Sequence, residues 1–230
     1  MHAVAIVAAA GSGSRLGADR PKALVPLAGR PLVCWAVDGL LDGGVAEVVV
    51  TVPAAEREAF AAVLPAAVRI VDGGATRTAS VRAGLAALSD PAHPAADVVL
   101  VHDAARPLTP PDVVARVLAA IAAGAPAVVP VLPVVDTTVL VDDDGAVVDA
   151  VPRAPLRRVQ TPQGFARDVL ERAYAALPEG AELTDDAAVV RASGVRVDTV
   201  AGDERSAKVT VPHDLTLAGL AVTVDGTVTR

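Results

Sequence analysis

The segment from residue 9 to residue 22 carries Gly11, Gly13 and Gly17, with Arg15 among them and Lys22 at its end. Glycines let successive backbone N–H groups turn toward an anion, forming a nest for phosphate oxygens. The loop is not a Walker A loop, because no Lys-Ser/Thr pair follows a second glycine at the required distance. Nor is it a dinucleotide fingerprint. Leu16 stands where the third glycine belongs, and the second strand runs into Thr51-Val-Pro53 with no acidic residue for a ribose diol. Two fixed positive charges, Arg15 and Lys22, beside a backbone nest suit a triphosphate better than a pyrophosphate lying across a helix end. The competing reading is a glycine turn with two solvated cations. Lysine usage favours the first. Of 20 basic residues only Lys22 and Lys208 are lysine, so a chain that otherwise uses arginine keeps a compact ammonium at two places.

Five further segments fall where loops gather at the carboxyl edge of a parallel sheet. Asp72-Gly73-Gly74 leads to Ser80, and the turn's backbone with the Ser80 hydroxyl could read a base edge. Asp103 follows a buried run, placed to hold Mg²⁺ or a ribose hydroxyl, with Arg106 three residues on either serving a phosphate or pairing with it. Arg153, Arg157 and Arg158, then Thr161, offer cations and a hydroxyl. Thr184-Asp185-Asp186 reads equally well as a helix N-cap. Ser206-Ala207-Lys208 supplies the second lysine.

The elements that would carry these residues alternate. Strands are expected at 4–9, 47–52, 68–71, 98–101, 127–131 and 196–200. Helices are expected at 31–41, 54–64, 77–88, 111–123, 168–177 and 185–192, and another starts near 213. Continuous β-branched runs such as 47–52 suit strands covered on both faces, and Pro31 suits a first helical turn. This rhythm predicts a single α/β domain over 1–230, a Rossmann-like, mostly parallel sheet with helices on both faces. Within it, 137–141 and 146–151 flank an Asp-Gly pair at 144–145, a hairpin signal. A two-stranded ribbon is marginal alone, so this arm, about 135–152, is expected to pack on a partner chain.

Composition narrows the classes. The chain has 230 residues, enough for an unaided core. A formal charge of −7 without a basic run argues against nucleic acid and anionic membrane. The aromatics Trp35, Phe60, Phe165 and Tyr174 are too few for base-stacking platforms. Cys34 is the single cysteine, which removes a disulfide framework and a Cys-rich zinc site and makes a reducing, cytoplasmic setting the expectation. The apolar N-terminal ten residues read as a strand, not a signal peptide. The uncharged stretch 117–135 is broken by Gly124, Pro126, Pro130 and Pro133 and is not expected to cross a membrane.

Taken in order, the glycine loop, His102-Asp-Ala-Ala-Arg106-Pro, Thr161-Pro-Gln, Thr184-Asp-Asp and Lys208-Val-Thr resemble the 2-C-methyl-D-erythritol 4-phosphate cytidylyltransferases of the non-mevalonate isoprenoid route. The resemblance runs from residue 4 to about residue 217. It implies transfer of CMP from CTP to the 4-phosphate of the methylerythritol, with release of diphosphate and Mg²⁺ on the triphosphate. It further implies that Arg15 and Lys22 stabilise the reacting α-phosphorus. Ala9, Ala10, Gly11, Gly74, Ser80 and Ala104 would hold the nucleotide, and Asp103 would serve metal and ribose. Arg153 and Lys208 would position the attacking phosphate, with Arg106, Thr137, Thr161 and Thr184 assisting. The family is homodimeric through the arm, which would bring Thr137 and Arg153 to the neighbour's site. Two departures stand out: Ser206 where the family often has Asn, and Ala75 where some relatives carry an acid. The competing functions are a sister cytidylyltransferase for another polyol phosphate, such as ribitol 5-phosphate, and an inactive nucleotide-binding regulator.

Overall fold

The computed structural model describes residues 1–11, 13, 16–89, 95–178, 180–181 and 183–224. Its first strand, β1 (Ala3–Ala8), lies at the centre of an eight-stranded sheet. Two short strands, β2 (Pro26–Leu27) and β3 (Arg30–Pro31), form a separate small hairpin. Helix α1 (Leu32–Asp42) then leads to β4 (Glu47–Val52), α2 (Arg57–Ala61) and β5 (Arg69–Asp72). Helix α3 (Arg77–Leu88) crosses back to β6 (Val98–Asp103), and α4 (Pro111–Ala122) precedes β7 (Ala127–Pro133). The arm is β8 (Thr138–Val141) and β9 (Val147–Val151). The chain finishes with β10 (Arg157–Val159), β11 (Gln163–Ala166), α5 (Arg167–Ala176), α6 (Asp186–Ala192), β12 (Asp198–Ala201) and α7 (Pro212–Val224).

Strands β5, β4, β1 and β6 are neighbours in that order and all parallel. The expected parallel sheet is therefore present, but it is mixed further on. Strand β11 runs antiparallel between β6 and β7, β10 extends along the same side of β7, and β12 pairs parallel on β7. Strands β10 and β11 lie where the sequence predicts loop, because Arg157-Arg158-Val159 and Gln163-Gly164-Phe165 carry no strand periodicity and a proline lies between them. They are one strand broken at residues 160–162, where Gln160 and Thr161 turn inward and are buried. The peptide bond between Thr161 and Pro162 is cis. The expected helix at 54–64 is also shorter: a 3₁₀ turn at Ala54–Glu56 gives way to α2.

Side chains alternate across β1, and both faces are covered. Ala5 and Val7 join Val33, Val37, Phe60, Val114 and Val117 on the α1 and α4 side. Val4 and Ile6 join Val81, Leu85, Phe165, Leu170 and Val189 on the α3, α5 and α6 side. This explains why β1 and β4 read as unbroken apolar runs. A smaller third cluster, with Leu16, Val25, Leu27, Leu32, Val209 and Val222, ties the glycine-loop segment to the chain beside Lys208 and to α7. The crossover from β5 to β6 reverses the direction of sheet growth, so a crevice opens at the carboxyl ends of β1 and β6, where such sheets take their ligands.

Candidate active site

A cleft of about 410 Å³ occupies that crevice, lined by Ala8 to Gly11, Lys22, Gly74 to Arg77, Ser80, Asp103 to Ala105 and Lys208. Segments far apart in sequence thus converge, as the loop reading required. Arg15 lies outside the described residues, as do Ser12 and Ser14. Gly13 has φ +76°, and a Cβ there would come within 3.1–3.2 Å of the backbone and Cβ of Lys22, so the glycine lets the loop close against the lysine. Lys22 N donates to Gly11 O at 3.2 Å, joining the two ends of the loop.

On the opposite wall, a Cβ on Gly74 would stand 2.3 Å from Ala79 Cβ, so the turn after β5 can press on α3 only as glycine. The Ser80 hydroxyl accepts from Gly74 N at 3.2 Å and lies 2.9 Å from Thr76 O, to which it donates. Ser80 is buried and its hydroxyl is committed to shaping the turn beside the cleft. Ala9, Ala10, Gly11 and Ala104 line the cleft through small side chains that leave their backbone within reach.

Asp103 ends β6 and is the hub of the floor. Its backbone N–H donates to Thr161 Oγ1 at 3.1 Å, and Thr161 Oγ1 lies 2.9 Å from His102 Nδ1. His102 Nε2 lies 3.2 Å from the Arg106 carbonyl, which can only accept, so Nε2 carries the proton. Nδ1 is then an acceptor, and the Thr161 hydroxyl donates to it. Burial pulls the His102 pKa down to about 4, against the nearby Asp103 charge, so the imidazole is neutral at physiological pH.

The carboxylate of Asp103 meets cations on both oxygens. Arg77 Nε donates to Oδ1 at 3.1 Å and Lys208 Nζ to Oδ2 at 2.7 Å, with Arg106 Nε 3.9 Å from Oδ2. Burial alone would raise this carboxyl, but the Arg77, Lys208 and Arg106 charges outweigh it and hold Asp103 well below the usual carboxylate range. Behind Arg77, its Nη2 donates to Asp186 at 2.7 Å, and Tyr174 Oη donates to the same carboxylate at 2.6 Å. Burial works against the Arg77 charge, yet Asp186 and then Asp103 raise its pKa above the ordinary arginine value.

The described residues lining the cleft therefore include three cations, Lys22, Arg77 and Lys208, against one carboxylate. Such a surface suits a polyanion. Among the described residues lining the cleft a divalent cation would find one carboxylate, Asp103, and no group of three His, Cys, Asp or Glu side chains gathers among the described residues. One carboxylate fits a magnesium ion that takes most of its oxygens from substrate phosphates and water.

The other expected site residues lie elsewhere or face inward. Thr161 is buried, its hydroxyl spent on Asp103 and His102. Arg106 donates to the Ser206 carbonyl at 2.7 Å and the Val159 carbonyl at 3.3 Å, while its buried Nε has no hydrogen-bond partner. Its ion pair with Asp103 is thus the weaker part of its role. Thr184 is exposed and does not line the cleft, and Asp185 is the N-cap of α6, accepting from Ala188 N. Thr137 and Arg153 are exposed at the base of the arm, where Arg153 donates to the Val135 carbonyl. The sequence did not point to Arg77 or Tyr174 as site residues, and it offered Asp186 only within the Thr184-Asp185-Asp186 segment. One signal was available: Arg77 opens α3, where the helix dipole disfavours a cation.

Comparison with known proteins decides the family. The family model for 2-C-methyl-D-erythritol 4-phosphate cytidylyltransferase matches residues 3–224. The chain belongs to that family. It is 53% identical over 218 residues to the cytidylyltransferase of that name from Nocardia farcinica, covering 94% of this chain and 91% of the relative. It is 54% identical over 222 residues to that of Saccharopolyspora erythraea, covering 95% and 98%. Among solved structures, the cytidylyltransferase from Thermus thermophilus superposes with a TM-score of 0.80 at 38% identity, covering 97% of this chain and 100% of that one. Membership makes the chain a nucleotidyltransferase of the isoprenoid route. No helix among the described residues is long and apolar enough to cross a membrane.

Proposed function

We propose that the chain transfers CMP from CTP to 2-C-methyl-D-erythritol 4-phosphate, giving 4-diphosphocytidyl-2-C-methyl-D-erythritol and diphosphate. The observation that carries this reading is the convergence of Lys22, Arg77 and Lys208 on one cleft floored by Asp103, in a member of this family. The nucleotide lies along Ala9 to Gly11 and Ala104, with its base at the Gly74 turn. The triphosphate faces Lys22, and Arg15 belongs to the same loop. Asp103 holds Mg²⁺ or the ribose. When bound, Mg²⁺ neutralises charge on the triphosphate oxygens.

The attacking phosphate oxygen is already anionic, so the reaction needs no general base. His102 could not serve as one, being buried and hydrogen-bonded at both ring nitrogens. Rate comes from alignment and from fixed positive charge where the α-phosphate gathers negative charge in the transition state. Lys208, half-exposed at the cleft, is placed to meet the acceptor phosphate once a divalent cation takes its place at Asp103.

The arm completes the site in a homodimer. Val139, Leu140, Val141, Val147 and Val148 are exposed on the two arm strands, an apolar surface a lone ribbon cannot bury. In the dimer Thr137 and Arg153 reach the partner's acceptor site, with Arg106 and Thr184 at its margin. The compartment is the cytoplasm. The test is to incubate the chain with CTP, Mg²⁺ and either methylerythritol phosphate or ribitol 5-phosphate and to measure diphosphate. Release with the first acceptor supports the proposal, and preferential release with the second overturns it.

A further inference from the structure

The two cations on Asp103 are held very differently. Lys208 reaches Oδ2 from a flexible stem, and its side chain is 40% exposed. Arg77 reaches Oδ1 through Nε while its Nη2 holds Asp186, whose side chain is fully buried. Asp186 is fixed in turn by Tyr174, and the first turn of α6 is docked by Gln163. The Gln163 side chain donates to Asp185 at 2.8 Å and accepts from Ala187 N at 2.9 Å. A guanidinium can span two carboxylates in one plane, which a single ammonium cannot. The placement is costly for α3, since a cation at its first residue opposes the helix dipole. Two carboxylates from other elements offset that cost, so the arginine serves them and not its own helix.

We propose that Arg77 is a positioning residue: it clamps Asp103 Oδ1 to the buried Asp186–Tyr174 pair and so presents Oδ2 to a divalent cation. In the free protein that second oxygen is held by Lys208, and the cation takes the lysine's place. The proposal rests on the reading of Asp103 as the carboxylate that meets the metal.

The experiment titrates Mn²⁺, followed by electron paramagnetic resonance, into the full chain with saturating CTP and no acceptor, so that no turnover intervenes. Arg77→Lys keeps the charge but cannot hold both carboxylates, and Mn²⁺ binding is expected to weaken about 10-fold, in the range found when partners of metal ligands are removed. Arg77→Met removes a positive charge from beside the ion. Loss of a mere neighbouring cation would tighten Mn²⁺ binding, whereas loss of a positioning residue weakens it, so the sign decides. If Arg77→Met strands Asp186 and fails to fold, the double variant Arg77→Met/Asp186→Asn removes both charges and is read in the same way. Asp103→Asn is the reference and is expected to weaken Mn²⁺ at least as much. If Asp103→Asn leaves Mn²⁺ binding unchanged, the metal reading fails and the proposal falls with it. If Asp103→Asn weakens binding while the Arg77 variants bind as well as wild type or better, the positioning role alone is overturned.

Discussion

Thr161 separates two accounts of the cleft floor. Family likeness places it beside the substrate, whereas its hydroxyl bridges Asp103 N–H and His102 Nδ1 below the surface. Thr161→Val keeps the shape and removes the bridge. Two buried polar groups then lose their partner, each at about 1–3 kcal/mol, so a loss of about 3 kcal/mol, in the lower half of the summed range, is expected. For a chain of this size that lowers the melting temperature by roughly 6–12 °C. Thr161→Ser retains the hydroxyl and should recover most of the loss. Paired with His102→Phe, which already removes the imidazole, Thr161→Val should cost less than it does alone, giving a coupling of about 1 kcal/mol or more in a double-mutant cycle. The assay is denaturant or thermal unfolding beside steady-state kinetics with varied acceptor. Unchanged stability with a raised acceptor KM would place the hydroxyl on the substrate and refute the internal role.

Lys22→Ala should lower kcat by at least ~100-fold with an unchanged unfolding curve, because it removes one preorganised cation from the transition state. Mixing it with Arg153→Ala tests the arm: if Arg153 acts on the partner's site, an equimolar mixture after subunit exchange regains about a quarter of the wild-type rate, since about half the dimers are mixed and one of the two sites in each is complete. His102 predicts a pH effect in metal-free buffer. Its folded pKa of about 4 lies below the ordinary 6.5, so the stability it confers is full above pH 6.5 and is lost as pH falls toward 4. The loss amounts to about 3 kcal/mol, and unfolding curves of His102→Gln should be flatter over that window. Gly164→Ala would put a Cβ 2.4 Å from Val117 Cγ1 and should cost about 1–3 kcal/mol, partly restored by Val117→Ala.

The parts of the molecule legible in its sequence are those whose signal is local. Continuous apolar runs marked β1 and β4 because both faces are covered, and the Asp-Gly pair marked the arm because Gly145 has φ +83°. Gly11 and Lys22 at the two ends of the glycine loop, Asp103 and Lys208 stood out by residue type and order, and they meet in one cleft. Strands β10 and β11 escaped because their pairing to β7 and β6 comes from tertiary context, with Arg157 and Arg158 exposed at the end of β7 and Gln163 spent on α6. The Tyr174–Asp186–Arg77 chain escaped for a related reason. Asp186 looked like ordinary helix-capping chemistry, and Tyr174 looked like core. Only folding brings α5, α6 and α3 together behind Asp103. His102 was visible, but its tautomer and its tie to Thr161 depend on residues 59 positions apart.

On the proposed mechanism this cleft works by alignment and fixed charge in one direct displacement, without a covalent nucleotidyl-enzyme. CTP made chiral at its α-phosphorus tests that most directly. Product with inverted configuration at that phosphorus is the predicted result, and retained configuration, the mark of two successive displacements, would contradict it.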